Sequence, residues 1–346
     1  MRHPVSRPRA RALAVGLALA ASALLPSGSA GAADPYEWAA LGDSYTAGVF
    51  VGDPQPALDD GSRDGCDRTS DAYPGIVERE LAEFPPGNHV HLTNVSCGAA
   101  TIADIAGRKQ KPVSPVRPPA GGWSAVDPQI KRAGLDDRTD VVTIGVGGNS
   151  LPVADMLLKC LGQGAADTSC RAYYTDPPEG EESIQDKLAR VQNEYIEMLA
   201  QVHRAAPDAQ VITVGYPAVL PEDSGDCDRL ALTELGPVTH ADIDWLRDDV
   251  LDQLNNTIRR VTSFFGDRYV DVHSSSVGHD ACQSAGTKWV EGICGAAEDY
   301  WPAQAGTQLD CARVNARATL VHPNAEGHAH TAAHVERAIR IALLER

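Results

Sequence analysis

Apolar residues along the chain fall into two alternating patterns. Short runs of β-branched, aromatic and small apolar residues occur at 36–42, 89–95, 140–146, 210–215 and 268–272, each bounded by Gly, Pro or Asn. Runs of this length and make-up read as strands. Between them the spacing is helical. In 183–206, Ile184, Leu188, Val191, Tyr195, Met198, Leu199 and Val202 share one face and charged residues occupy the other. Further helices are predicted near 73–82, 242–264 and 324–344. Single strands alternating with helices imply parallel strands joined by right-handed crossovers, hence a three-layer α/β sandwich around a central sheet of about five strands. Such sheets bind ligands at the carboxyl ends of their strands.

The connections on that edge are long. Residues 46–71, 107–125, 150–182, 216–240 and 273–320 are rich in Gly, Pro, Asp and Cys, against a median loop of roughly 4–6 residues. All eight cysteines lie in or beside them. Cys160 and Cys170 are expected to pair locally, and Cys66 with Cys97 to tie the first loop to the end of the second strand. The pairing of Cys227, Cys282, Cys294 and Cys311 stays open, because sequence does not define connectivity.

Disulfides require export, and the first residues carry an export pattern. Arg2, Arg7, Arg9 and Arg11 form a basic segment, 12–25 is a predominantly apolar run, and Ala30-Gly31-Ala32 offers a small-residue cleavage site. Residues 1–33 are therefore expected to be a secretory signal peptide, too short in its apolar part to span a bilayer, which takes roughly 20 residues. Residues 34–346 follow as one domain, secreted, extracellular and without stable membrane insertion. The formal charge of −17 argues against nucleic acid as a partner, since phosphate-backbone binding rests on Lys and Arg.

Four segments at the predicted ligand edge can carry chemistry. The first strand ends in Gly42-Asp43-Ser44-Tyr45-Thr46, which places a serine where a base can activate it; Thr46 departs from the Gly-x-Ser-x-Gly elbow of lipases. Asn94-Val95-Ser96-Cys97-Gly98-Ala99-Ala100-Thr101 closes the second strand with a small-residue turn that exposes backbone N–H groups. Gly145-Val146-Gly147-Gly148-Asn149-Ser150 follows the third strand and aims an Asn amide; Ser150 stands where a dinucleotide fingerprint needs Gly. Finally, in Val321-His322-Pro323-Asn324-Ala325-Glu326-Gly327-His328 an Asn can cap the last helix just after a histidine.

In order and spacing these segments resemble the SGNH, or GDSL, hydrolase family, over nearly the whole chain that follows the export segment. The long disulfide-bearing loops and the export pattern resemble its secreted actinobacterial lipase and esterase branch. The resemblance implies a flavodoxin-like sandwich and carboxylic ester hydrolysis without metal or cofactor. It makes Ser44 the nucleophile, His322 the base, and the Ser44 N–H and Asn149 amide oxyanion donors. The second-block donor falls on Ala99 by its distance from Thr101, with Gly98 as the alternative. Ser150 replaces the family's usual Asp, so what that Asp braces must be held by a hydroxyl or not at all. The position of the triad acid, three residues before the histidine, is Thr319. As in relatives that use a Ser-His dyad, the Thr319 carbonyl is expected to orient His322; Asp299 or Asp310 is the competing acid. His330 and His334 share a helix face, but no Glu follows His330 as a metalloprotease pattern demands, so no metal is expected.

A small-molecule or lipid ester is the expected substrate and a monomer the expected state. A phospholipase A/B or lysophospholipase is the alternative enzyme, and carbohydrate deacetylation a further one. An inactive extracellular binding module is the alternative of another class, opposed by the joint presence of Ser44, Asn149 and His322. Trp123, Trp289 and Trp301 are the only loop tryptophans, and no amphipathic lid is evident.

Overall fold

The computed structural model describes residues 35–85, 87–305 and 309–345; the expected export segment lies outside the described residues. Strands β1 (Tyr36–Gly42), β2 (Val90–Asn94), β3 (Thr139–Gly145), β4 (Gln210–Val214) and β5 (Arg268–Val270) form one parallel sheet in the order β2-β1-β3-β4-β5. Each lies where the apolar pattern predicted it. Alternation along the strands sends neighbouring residues to opposite faces. Trp38, Ala40, Val141 and Ile212 enter one core layer, while Leu41, Val142, Ile144 and Val211 enter the other. Burial on both faces explains the near-continuous apolar runs.

Ten α-helices surround the sheet among the described residues: α1 (Ser44–Ala47), α2 (Tyr73–Leu81), α3 (Ile102–Ala106), α4 (Gln129–Arg132), α5 (Val153–Gly164), α6 (Arg171–Thr175), α7 (Ile184–Ala205), α8 (His240–Trp245), α9 (Asp252–Phe265) and α10 (Ala325–Leu344). Helices α2 and α10 supply Val77, Leu81, Val335 and Ile339 to one layer; α3, α5, α7 and α9 supply Ile105, Met156, Val191 and Ile258 to the other. The start of α7 is fixed locally, because the Ser183 hydroxyl accepts the Asp186 N–H and the Asp186 carboxylate accepts the Ser183 N–H.

Two expectations need correction. The stretch 242–264 is helical throughout, as expected, but not uniformly α: α8 runs into α9 through a π-helical turn, Leu246–Leu251. The stretch 150–182 is not an irregular loop, since it contains α5 and α6. Pro152 and the glycines at 162 and 164 read as breakers, but Pro152 opens α5 rather than interrupting it. Gly164 is needed because a Cβ there would strike the Pro237 carbonyl. Disulfides join Cys66 to Cys97, Cys160 to Cys170, Cys227 to Cys282 and Cys294 to Cys311. The first two pairs are those expected; the last two resolve the open connectivity. Among the described residues no helix is long and apolar enough to cross a membrane.

Candidate active site

The sheet reverses its direction of growth between β1 and β3, so the segments that follow these two strands diverge around a crevice, the usual ligand position in this topology. Gly42 pairs with Gly145 at the lip, and a Cβ on Gly42 would collide with Thr46 and the Gly145 carbonyl. The buried Gln129 amide accepts from Gly42 N–H and donates to Gly42 O, both at 2.8 Å. Asp43 then turns the chain into α1: its N–H donates to Gly145 O at 3.0 Å and its carboxylate accepts the Tyr45 N–H at 3.0 Å. Burial pushes the Asp43 carboxyl up to about 7, opposed by hydrogen bonds from Tyr216 and Tyr45. Ser44, the first residue of α1, sits at the crevice floor.

His322 reaches Ser44 from the other end of the chain. Its Nε2 lies 2.6 Å from Ser44 Oγ, and its Nδ1 lies 2.9 Å from Thr319 O and 3.0 Å from Leu320 O. A hydrogen on Nδ1 shared between two carbonyls leaves the Nε2 lone pair facing the serine hydroxyl. Leu320 and Val321 both have positive φ, at 48° and 57°, which is what turns the two carbonyls inward. That conformation costs about 1–2 kcal/mol per residue for L-amino acids. Neighbouring segments of chain hold it: Thr319 and Leu320 N–H donate to Ile293 O, Val321 N–H and the Thr319 hydroxyl donate to Gly292 O, and Glu291 N–H donates to His322 O. Tyr45 closes the link by donating its hydroxyl to Val321 O at 2.5 Å, with its ring tilted against the His322 ring at 4.9 Å. Burial lowers the His322 pKa, and the two carbonyls oppose that shift. Asp299 and Asp310 pair with Arg317 and Arg313 instead.

The three expected oxyanion donors differ in their surroundings. The Ser44 N–H is at the start of α1 and makes no hydrogen bond among the described residues, and the same holds for the Ala99 N–H. Ala99 has φ of 59°, the reason a glycine suits the position. Gly98 offers no donor: its N–H is committed to Cys66 O at 3.0 Å. Asn149 Nδ2 donates to Ala100 O at 3.0 Å, which fixes the amide and leaves its second N–H free to point into the crevice. Ser150 accepts the Ile102 N–H on its hydroxyl at 2.9 Å, so a hydroxyl does brace the start of α3 from the third segment.

Beside the serine the crevice is apolar, a space of about 60 Å³ among Val153, Ala154, Val219, Leu251 and Leu254. The histidines of α10 go elsewhere. His328 accepts the Tyr73 N–H, and burial pushes it down to about 3; His330 and His334 both hydrogen-bond Ser275 Oγ. Sequence reading missed Leu320, Gln129, Glu291 and Tyr216. Only Leu320 stood beside a recognised motif, and nothing in its type signals a carbonyl acceptor.

A serine hydroxyl 2.6 Å from a histidine that two carbonyls orient makes a site suited to acyl transfer. The GDSL-like lipase/acylhydrolase family model matches residues 40–330, so the chain belongs to that family and is a carboxylic ester hydrolase. It is 30% identical to lipase 2 of Streptomyces coelicolor over 330 residues, 93% of this chain and 91% of the relative. It is 29% identical to an esterase of Streptomyces scabiei, with the same shares covered. Among solved structures it resembles phospholipase A1 from Streptomyces albidoflavus NA297, with a TM-score of 0.57 at 21% identity, covering 90% of this chain and 99% of that one. An extracellular lipase from Streptomyces rimosus gives 0.51 at 19% identity, covering 89% and 99%. At these identities the two structures speak for the fold alone.

Proposed function

We propose that the chain is a secreted serine ester hydrolase acting through an acyl-enzyme on Ser44. The observation that carries the reading is the 2.6 Å approach of Ser44 Oγ to His322 Nε2 while Nδ1 is held by the Thr319 and Leu320 carbonyls. His322 takes the Ser44 proton as Oγ bonds to the ester carbonyl carbon, and the carbonyl oxygen becomes an oxyanion against the Ser44 and Ala99 N–H groups and the Asn149 amide. The bond to the alcohol oxygen then breaks, and that oxygen takes the proton from Nε2. In the second half, water gives a proton to His322 and its oxygen to the acyl carbon; the acid leaves and the proton returns to Ser44.

The apolar space beside Ser44 suits the acyl chain, since burying each CH₂ gains about 0.8 kcal/mol. The acidic chain favours neutral or zwitterionic esters over anionic surfaces. Support for secretion comes from the export pattern at 1–33 and the four disulfides, which persist in oxidising compartments. The test is hydrolysis of p-nitrophenyl esters from acetyl to palmitoyl, with phosphatidylcholine in parallel and Ser44→Ala alongside. Turnover that Ser44→Ala abolishes is expected. Equal turnover by Ser44→Ala would sink the mechanism, and release of fatty acid from phosphatidylcholine in preference to the simple esters would make the enzyme a phospholipase.

A further inference from the structure

One buried tyrosine bridges the two sides of the crevice. Tyr216 follows the carboxyl end of β4, and its backbone is gripped by Asn255, which accepts the Tyr216 N–H at 2.8 Å and donates to the Tyr216 carbonyl at 2.9 Å. With the main chain fixed on both sides, the ring projects across β3 toward β1. Its hydroxyl donates to Asp43 Oδ2 at 2.5 Å and accepts the Gly148 N–H at 2.8 Å. The other Asp43 oxygen accepts the Tyr45 N–H, so the carboxylate grips both the strap and the first turn of α1. The Tyr216 ring also packs edge-on against Tyr45 at 5.1 Å, and Tyr45 in turn holds the His322 turn through Val321 O. Gly148 lies flat on the ring: an added Cβ would sit 3.3–3.5 Å from its outer atoms.

Resting on the function proposed above, we infer that Tyr216 is the positioning residue of the oxyanion arm, its hydroxyl fixing the Gly148–Asn149 turn against the Asp43–Ser44 turn. The two turns belong to different strands, and at this lip the sheet hydrogen bonds end with the Gly42–Gly145 pair. Beyond it, side chains contribute to the spacing between Ser44 and the Asn149 amide, alongside the Asp43 N–H bond to Gly145 O. Among the described residues the Asn149 side chain has one anchor, the Ala100 carbonyl, which sets the tilt of the amide but belongs to the second segment. The Tyr216 hydroxyl is the link that ties the backbone before Asn149 to the residue before Ser44. It has one proton and gives it to Asp43; it has lone pairs and offers one to Gly148. A phenylalanine would keep the packing and break both bonds together.

A second tyrosine supplies the control. Tyr195 is buried in the same core layer, and its hydroxyl has no hydrogen-bond partner among the described residues. Tyr195→Phe therefore removes the same atom from the same core without cutting a strap.

The experiment compares Tyr216→Phe, Tyr195→Phe, Asn149→Ala and the double variant Tyr216→Phe/Asn149→Ala in the full mature chain. On a p-nitrophenyl ester turned over by the parent, Tyr216→Phe is expected to lower kcat by about 10²-fold, the scale of a small misplacement of a reacting group, with KM within about threefold. Tyr195→Phe should match the parent. In the Asn149→Ala background the further loss from Tyr216→Phe should shrink to less than about threefold, because the donor it positions is already gone. A kcat within threefold of the parent, a loss confined to KM, or the same fold-loss in both backgrounds would overturn the inference. Amide hydrogen exchange at Gly148, read by NMR on deuterated protein, probes the strap independently of turnover: protection should fall at least about tenfold in Tyr216→Phe and stay unchanged in Tyr195→Phe. Unchanged protection overturns the strap. Absence of turnover that depends on Ser44 would instead remove the proposed function and leave the exchange result to decide the geometry.

Discussion

The two halves of the site are held by different means. Ser44 sits on the end of a central strand, and its turn is an outgrowth of the sheet: Gly42, Asp43 and Thr46 all bond to the Gly145 carbonyl or lie against it. His322 sits on a turn that belongs to no strand of the central sheet. It is strained at Leu320 and Val321 and is pinned by residues 291–293, which are themselves hung from the segment around Thr233 and Glu234 by Ile293 N–H to Glu234 O and Cys294 N–H to Leu232 O. A nucleophile on a sheet edge inherits its position from the core. The base must be placed by loops, and here disulfides, a buried ion pair and close glycine contacts take the role that strand pairing has on the other side. A Cβ on Gly292 would strike the Thr233 and Glu234 carbonyls, and one on Gly327 would strike the Trp289 carbonyl.

The largest difference is expected at the buried pair behind the histidine turn. Lys288 Nζ lies 3.3 Å from Glu291 Oε2, both side chains are buried, and Glu291 also accepts from Asn324 Nδ2 at 3.1 Å. Lys288→Met leaves Glu291 charged and unpaired beside the His322 turn, which should destabilise the fold by about 3–5 kcal/mol in chemical denaturation and lower kcat as well. The exposed pair Lys109–Asp127 is the contrast: Lys109→Met should cost less than about 1 kcal/mol and leave kcat unchanged. Equal losses for both substitutions would refute the claim that the base side leans on its ion pair.

Removing one disulfide on each side sharpens the comparison. Cys66–Cys97 closes a separation of 31 residues next to the second-segment donors, and Cys294–Cys311 closes 17 residues beside the histidine turn. Chain entropy gives each a stabilisation of about 3–4 kcal/mol, so the paired Cys→Ser variants should unfold at similar denaturant concentrations. Activity should separate them. The Cys294→Ser/Cys311→Ser protein is expected to lose kcat well before its unfolding transition, while Cys66→Ser/Cys97→Ser keeps kcat until it unfolds. Activity and unfolding curves that coincide for both would place the two sides on the same footing.

The acid limb of the pH response reports the base side, while the Asp43 carboxyl, pushed up to about 7 by burial, titrates on the other side of the site. Burial penalises the imidazolium, so His322 stays neutral below its ordinary pKa of 6.5. Adding a proton removes the proposed base; the acid limb of kcat/KM should therefore lie below pH 6.5, dropping about tenfold per pH unit beneath the lowered His322 pKa. A limb above pH 6.5 that persists in Asp43→Asn would mean that a carboxylate, rather than carbonyls, faces Nδ1. The smallest effect belongs to the proposed oxyanion turn at Ala99. Ala99→Gly relieves a left-handed alanine but adds freedom to the unfolded chain, so the net gain in stability should be no more than about 1 kcal/mol, with kcat preserved because the N–H is kept. A tenfold loss of kcat would show that the Ala99 methyl itself matters.

Much of this was legible in the chain because it is local. Five apolar runs became five strands, and the periodicity in 183–206 became α7, since strand and helix burial repeat every two or about 3.6 residues whatever lies elsewhere. Ser44 and Asn149 were legible through short motifs at strand ends, and His322 through the motif that opens the last helix. The miss at α5 has a local cause too: Pro152 and two glycines imitate a loop, and the contact of Gly164 with Pro237 that explains one of those glycines is 73 residues away.

What the sequence determined by itself is the order of the elements, the edge at which chemistry gathers, and the residue types delivered there, all encoded within a turn or two of chain. Tertiary structure alone decided which groups meet. The Ser44–His322 contact spans 278 positions, Tyr45 to Val321 spans 276, and Tyr216 to Asp43 spans 173. It also decided that the Gly98 N–H is occupied while that of Ala99 has no partner among the described residues, and that Cys282 pairs with Cys227 rather than with the nearer Cys294. Such pairings depend on where the loops pass one another in space, and a one-dimensional pattern of residue types holds no record of that distance.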